Sequence, residues 1–459
     1  MISVLIRHPV VEMGVNDDWS YIWSAKDLAR TGHIHYSGWV QPILGWQLYL
    51  AAAAFRVFGF SFTIARCSVF LVTLATVFLT QRFFVRAGLL ERNASLAILC
   101  ILGSPMYLPL GFSFISDSGG VFSCVLCMYA CLRAVQARSP RGPFFWLILA
   151  AVANLLSGTV RQVAWLGLSV MIPSTALYIR RRIPLVLFGA VQVFCVVGVF
   201  ACMHWFSHQP YTMRESVFDF YPDRDALANM VSGYLHAGLG LTFFLLPVLL
   251  AFVSKKAPPL KGPLALLPLA FLLAAVLILF APHWAAFHKY IVPFLPNYLS
   301  ERGLVQVGSI VGRRHEVISL PFRVLLTITK YISTAYFLSR LLISGPIRRN
   351  AQAKGDGHPT FQTLTCVLLP FALAYAGLLV SRAAQNAFYD RYLPVLLIVA
   401  ALFIVRFYQE QVSNLLPIRS WIFVGMFMLA ATADCMTFMR KNARGSNSSR
   451  NCTQQNCQT

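Results

Sequence analysis

From residue 62 to residue 438 the chain is a succession of apolar runs separated by short polar connections. Each run is close to the ~20 residues that carry a helix across ~30 Å of hydrocarbon. A backbone in lipid must satisfy its own hydrogen bonds, so such runs are expected to fold as helices. The candidate spans are 62–80, 94–110, 118–134, 144–157, 162–179, 183–203, 231–253, 264–281, 321–342, 361–380, 392–408 and 420–438, about twelve in all. The expected fold class is an all-α polytopic membrane protein. Composition agrees: 12% of the residues are charged, against about a quarter in soluble domains.

The charges that remain are lopsided, 38 Lys and Arg against 16 Asp and Glu. A nucleic-acid-binding protein gathers its basic residues on one soluble face. Here they punctuate the spans, so nucleic acid is not the expected partner and phospholipid or a lipid phosphate is. The clusters are Arg82, Arg86 and Arg92; Arg133, Arg138 and Arg141; Arg180–Arg182; Lys255, Lys256 and Lys261; and Arg348, Arg349 and Lys354. They fall on alternate connections, as the positive-inside rule requires, provided that 144–179 is two short spans turning outside near "SGTVRQ". Residues 1–61, the stretch around Asp117 and the loops 204–230, 283–320 and 381–391 then share the outer side. The chain divides into an outer loop (1–61), a membrane bundle (62–438) and a polar tail (439–459) with the composition of disorder. The 11 Cys are scattered, several of them inside apolar runs and Cys452 and Cys457 in the tail, and most are expected to be small core residues.

In a chain so short of acids, "GVNDDWSYIW" sets Asp17 and Asp18 side by side. After them Tyr21, Ile22, Ala25, Leu28 and Ala29 recur at helical spacing and Gly32 closes the run, so an amphipathic surface helix is expected. A second one, or a shallow span, runs from Pro42 to Gly59. Asp17 at a helix start reads equally as an N-cap. Capping needs one carboxylate, however, and a second beside it suits general-base or metal chemistry.

The order Asp17-Asp18, Gly32, Pro42-Ile43-Leu44, Phe58-Gly59 and Ala65-Arg66 resembles the first outer loop of GT-C membrane glycosyltransferases. More narrowly it resembles the bacterial protein O-mannosyltransferase-like family that includes the aminoarabinose transferases. "FISDSGGVF" places Asp117 where that family carries another acid, and "FYDRYLPVL" is similar to its "DRYLLP". The family has a membrane helix before the acidic loop, which implies one ahead of residue 1. Its aminoarabinose branch has a Lys before its Pro-Pro, where this chain has Val40 and Gln41 in "WVQPIL".

The resemblance implies a GT-C fold in the inner cell membrane with its site on the outer, periplasmic side. It also implies inverting transfer of a sugar from a polyprenyl-phosphate donor to a glycan, lipid or protein acceptor. Asp17 then corresponds to the base and Asp18 to a neighbour that orients it or binds a divalent metal, the one cofactor with a place in this reading. Asp117, Arg161, Arg391, Tyr392, His288 and Lys289 would bind the donor and its phosphate, with Arg382 as a further candidate and the 283–320 loop as a cover. The plainer alternatives are a helix cap for Asp117, a turn residue for Arg161 and an interface residue paired with Asp390 for Arg391. His204 and His208, four residues apart, read as interfacial anchors ahead of metal ligands. A transporter or flippase of a lipid-linked or anionic substrate is the competing class. It would place charges at mid-span and break helices at matching positions in two halves, where this sequence offers Asn154 and Gln192.

Overall fold

The computed structural model describes residues 12, 14, 17–39, 45–104, 106–211, 223–253, 263, 266–280, 291, 319–344, 359–385 and 388–432. Among them there is no strand, and the chain is an all-helical membrane protein. The tail, most of the 283–320 loop and the basic clusters at 255–261 and 348–354 lie outside the described residues.

The helices, in chain order, are α1 Asp18–Thr31, α2 Trp46–Phe58, α3 Phe62–Arg86, α4 Glu91–Leu102, α5 Tyr107–Gly111, α6 Ser116–Gln136, α7 Gly142–Gly158 and α8 Ile172–Tyr178. They continue with α9 Leu185–Ser207, α10 Arg224–Phe244, α11 Leu246–Leu249, α12 Leu267–Phe280, α13 Leu320–Ser344, α14 Phe361–Ala384, α15 Pro394–Gln411 and α16 Ile418–Thr432. Five of these, α3, α6, α9, α14 and α15, are long and apolar enough to cross a membrane. α10 with the 246–252 segment makes a sixth, bent by 65° where Pro247 cannot continue the ladder. The other expected spans fall on helices that are shorter, interrupted or, in α13, more highly charged. The run 94–110 stops at Leu102, before Gly103-Ser104-Pro105, and resumes as α5. α13 carries Arg323, Lys330 and Arg340 along its length.

The run 162–179 is broken most. It opens as a 3₁₀ turn at Gln162–Ala164, widens to a π turn at Gly167–Met171 and only then becomes α8. A π turn releases backbone groups from the regular ladder, and the two polar residues inside neighbouring spans take them up. Asn154 Oδ1 accepts the Leu168 amide at 2.8 Å, and Gln192 Nε2 donates to the Leu168 carbonyl at 2.5 Å. Asn154 and Gln192 are thereby accounted for as props of an irregular backbone in an apolar surrounding.

Apolar surface is distributed as a bilayer would have it. α9 leaves Val186, Val193, Phe194, Val197 and Phe200 exposed, a patch that water would not tolerate. One core joins α4, α6, α7, α8, α14 and α15. A second, smaller one joins the acidic stretch to the bundle: Tyr21, Ile22, Ala25 and Leu28 of α1 meet Leu48, Ala51, Ala52 and Phe55 of α2 over Ala65 and Val69 of α3. Gly32 (φ 76°) closes α1 and Gly59 (φ 83°) closes α2. Both conformations are left-handed and favour glycine.

α3 is fixed at its start by Glu12, whose carboxylate accepts from the Ser61 hydroxyl at 2.6 Å and from the Phe62 and Thr63 amides at 2.8 and 3.2 Å. Burial tends to raise the Glu12 pKa, but these bonds outweigh it and hold it below 4.5. A carboxyl depressed in the folded state stabilises above its unfolded pKa, and that contribution disappears as pH falls through the folded value. Thermal unfolding of the purified protein should therefore show a steeper loss of stability below about pH 4.5 than Glu12→Gln shows. Identical acid limbs would detach Glu12 from the α3 cap.

Candidate functional site

Three carboxylate–guanidinium pairs meet where α1, α2 and α3 join the starts of α6 and α15. Asp18, fully buried in the first turn of α1, accepts from Arg66 through one oxygen, Nε at 3.0 Å and Nη2 at 2.9 Å. Arg66 is itself buried near the start of α3. A cation there opposes the helix dipole and the lipid, so it needs a nearby acid. Arg66 is not among the site residues expected from the sequence, and none of the three pairings was expected either. The signal for Arg66 was present in Ala65-Arg66, an arginine opening an apolar run.

Asp117, in the first turn of α6, holds Arg161 at 3.0 Å, and the Arg161 Nη1 donates to the Ser116 hydroxyl at 3.3 Å. Arg161 occupies the expected turn between α7 and the 162–179 segment. The consecutive glycines of "SDSGG" explain how it reaches the helix. A Cβ at Gly120 would stand 2.8 Å from both Arg161 Cβ and Cγ, and one at Gly119 would meet Gln47 Oε1 at 2.7 Å. Small residues let the arginine stem and the α2 glutamine lie against the α6 backbone.

Asp17 makes the third pair. Its Oδ2 is 3.7 Å from Arg391 Nη1, and its Oδ1 accepts from the Trp39 indole at 3.3 Å. Unlike Asp18 and Asp117, it keeps 32% of its side chain exposed. As a cap for α1 it fails: its backbone is helical (φ −74°, ψ −7°) and its side chain bonds no amide of the first turn. A capping residue takes an extended backbone so that its side chain can fold back. Here the carboxylate turns away, toward Arg391.

Tyr392 ties the pairs together. The Arg161 guanidinium lies 5.6 Å from its ring centroid and that of Arg391 5.8 Å, within cation–π range. The Tyr375 hydroxyl donates to the Tyr392 carbonyl at 3.0 Å and anchors the 3₁₀ turn Asp390–Tyr392 to α14. Tyr21 of α1 completes the ring against Ser116. Burial pushes its phenol up to about 12, with Arg161 pulling the other way. It therefore stays protonated, a hydrogen-bond donor, through neutral pH.

Asp17, Asp18, Asp117, Arg161, Arg391 and Tyr392 thus come together. His288 and Lys289 lie outside the described residues. Arg382 ends α14. The His204 and His208 rings lie 4.2 Å apart, tilted by 47°, at the exposed end of α9. Among the described residues no three His, Cys, Asp or Glu side chains are grouped to hold a metal ion.

No protein-family model and no curated protein matches the chain. Among solved structures, the crystal structure of ArnT from Cupriavidus metallidurans in the apo state is similar at 14% identity and a TM-score of 0.36, covering 90% of this chain and 76% of that one. ArnT from the same organism bound to undecaprenyl phosphate gives the same identity and TM-score over 88% and 74%. A superposition of that quality fixes no activity.

Proposed function

We propose that this chain is an inverting GT-C glycosyltransferase that moves a sugar from a polyprenyl-phosphate donor to an acceptor hydroxyl at the outer face of the inner membrane. The observation that carries this reading is Asp17. It is a partly open carboxylate in a ring where its two acidic companions are closed into ion pairs and two arginines border one tyrosine. Transfer needs both a base and fixed positive charge, and the ring offers each.

In this reading Asp17 accepts the proton of the acceptor hydroxyl while that oxygen bonds to the anomeric carbon. The carbon–oxygen bond to phosphate breaks on the opposite face, which inverts the centre. The departing phosphate takes its charge to Arg391 and Arg161, whose forked donors match it in a site of low dielectric. Asp117 and Tyr392 hold Arg161 in place, and Asp18 with Arg66 joins α1 to α3 so that Asp17 keeps its position.

The test is transfer from radiolabelled polyprenyl-phosphate pentoses and hexoses in membranes containing the protein, with chromatographic analysis of the labelled acceptor. Labelled glycan, lipid or protein that requires the chain is the expected result. If every donor stays intact while labelled lipid crosses the bilayer, the chain is a flippase instead. That second reading has an observation of its own in the buried Lys330 midway along α13.

The Arg161 assignment has a separate check. Gly120→Ala drives a methyl group into the Arg161 stem and should raise the donor KM about tenfold, equivalent to 1.4 kcal/mol of misplaced charge. A donor KM equal to wild type would separate Arg161 from the phosphate.

A further inference from the structure

Away from the carboxylate ring, α10, α12 and α13 line an open cavity of about 270 Å³. A buried water needs only on the order of 10–15 Å³. The walls include Leu235 and Leu239 of α10 and Phe271 of α12, and α13 contributes Lys330, Tyr331 and Thr334. Lys330 is 1% exposed. Among the described residues neither its ammonium nor the Thr334 hydroxyl has a hydrogen-bond partner, and no carboxylate lines the cavity. The Tyr331 ring centroid lies 4.8 Å from the ammonium.

Two further facts indicate what would fill this space. Arg323, Thr327, Lys330 and Thr334 follow one another at i, i+4, i+7 and i+11, a single polar face of α13. A polar face of this kind on a membrane helix turns to a cavity or to a polar partner. On the other side, Leu235 lines the cavity and is 48% exposed, so the space opens sideways, toward where acyl chains lie. The ammonium stands ten residues into α13, roughly 15 Å from its start at 1.5 Å per residue, well away from either end of the helix.

We infer that this cavity is a binding site for a single-chain lipid with an anionic head, a carboxylate or phosphate monoester. The head oxygens accept from Lys330 and Thr334, and the chain leaves past Leu235 into the bilayer. A buried ammonium needs a partner of opposite charge, and a lateral opening between apolar walls admits one that carries its own hydrocarbon. The site uses no residue of the transfer site proposed above and stands or falls apart from it.

The test uses the full chain in phosphatidylcholine nanodiscs, photolabelled with a diazirine-bearing palmitic acid or with the matching alcohol, and with crosslinks mapped by mass spectrometry. The acid should label peptides of α10, α12 and α13 at about tenfold lower concentration than the alcohol. Lys330→Arg should keep that difference and Lys330→Met should abolish it, with folding checked by gel filtration. Thr334→Val, a milder change, should weaken labelling by the acid severalfold and serves if Lys330→Met does not fold. Equal labelling by acid and alcohol in the wild type would overturn the inference. So would displacement of the acid by inorganic phosphate alone, or acid labelling unchanged in both Lys330→Met and Thr334→Val.

Discussion

Asp17→Asn is expected to lower sugar transfer by about 10²–10⁴-fold, the usual contribution of a positioned general base, while the protein stays as abundant in the membrane as wild type. The two halves of this result have separate causes. The amide cannot take a proton from the acceptor hydroxyl, so the chemical step fails. Little of the fold depends on the charge, because Asp17 makes only a 3.7 Å ion pair and a 3.3 Å bond from Trp39, caps no amide and is partly exposed. Steady-state transfer set against quantified membrane abundance gives the answer. Transfer within a few-fold of wild type would remove Asp17 from the role of base.

Asp18, its neighbour in sequence, is expected to behave in the opposite way. Asp18→Asn takes away the carboxylate that accepts from the buried Arg66 guanidinium, and breaking a buried pair from one side costs about 3–5 kcal/mol, a large share of a typical stability of about 5–15 kcal/mol. Membrane abundance and thermal stability should fall sharply, and activity with them. The double variant Asp18→Leu/Arg66→Met removes both charges and should recover much of the stability, since an apolar pair of similar volume often serves as well. Thermal unfolding of the two single variants and the double one closes the cycle. If the double variant is no more stable than either single one, the pair does more than hold α1 to α3.

These contrasting expectations for adjacent aspartates mark how far the sequence could be read. Scarcity drew attention to "NDD", and helical spacing placed it at the start of α1, where it is. What spacing could not give was the backbone conformation at Asp17, helical where a cap would be extended, which turns the carboxylate outward. It also could not name Arg66 as the partner of Asp18, because the two lie 48 residues apart and meet only when α1 folds back over α3. The glycines of "SDSGG" were legible as a helix start. Their use, to let Arg161 lie against α6, depends on a turn contributed by another helix pair. Mid-span Asn154 and Gln192 were visible as anomalies, but their partner is a π turn that no hydrophobic period announces.

The sequence by itself determined that this is a helical membrane protein, where its first two helices end, and which few acids a site could be built from. Those properties follow from local rules: a bilayer's thickness sets the length of a run, and Gly32 and Gly59 adopt conformations that other residues resist. Which carboxylate is closed and which stays open was decided only by the tertiary structure, as was the burial of Lys330 beside an apolar cavity. An ion pair forms between whichever charges packing brings within a few ångströms, and its strength depends on the water that the same packing excludes.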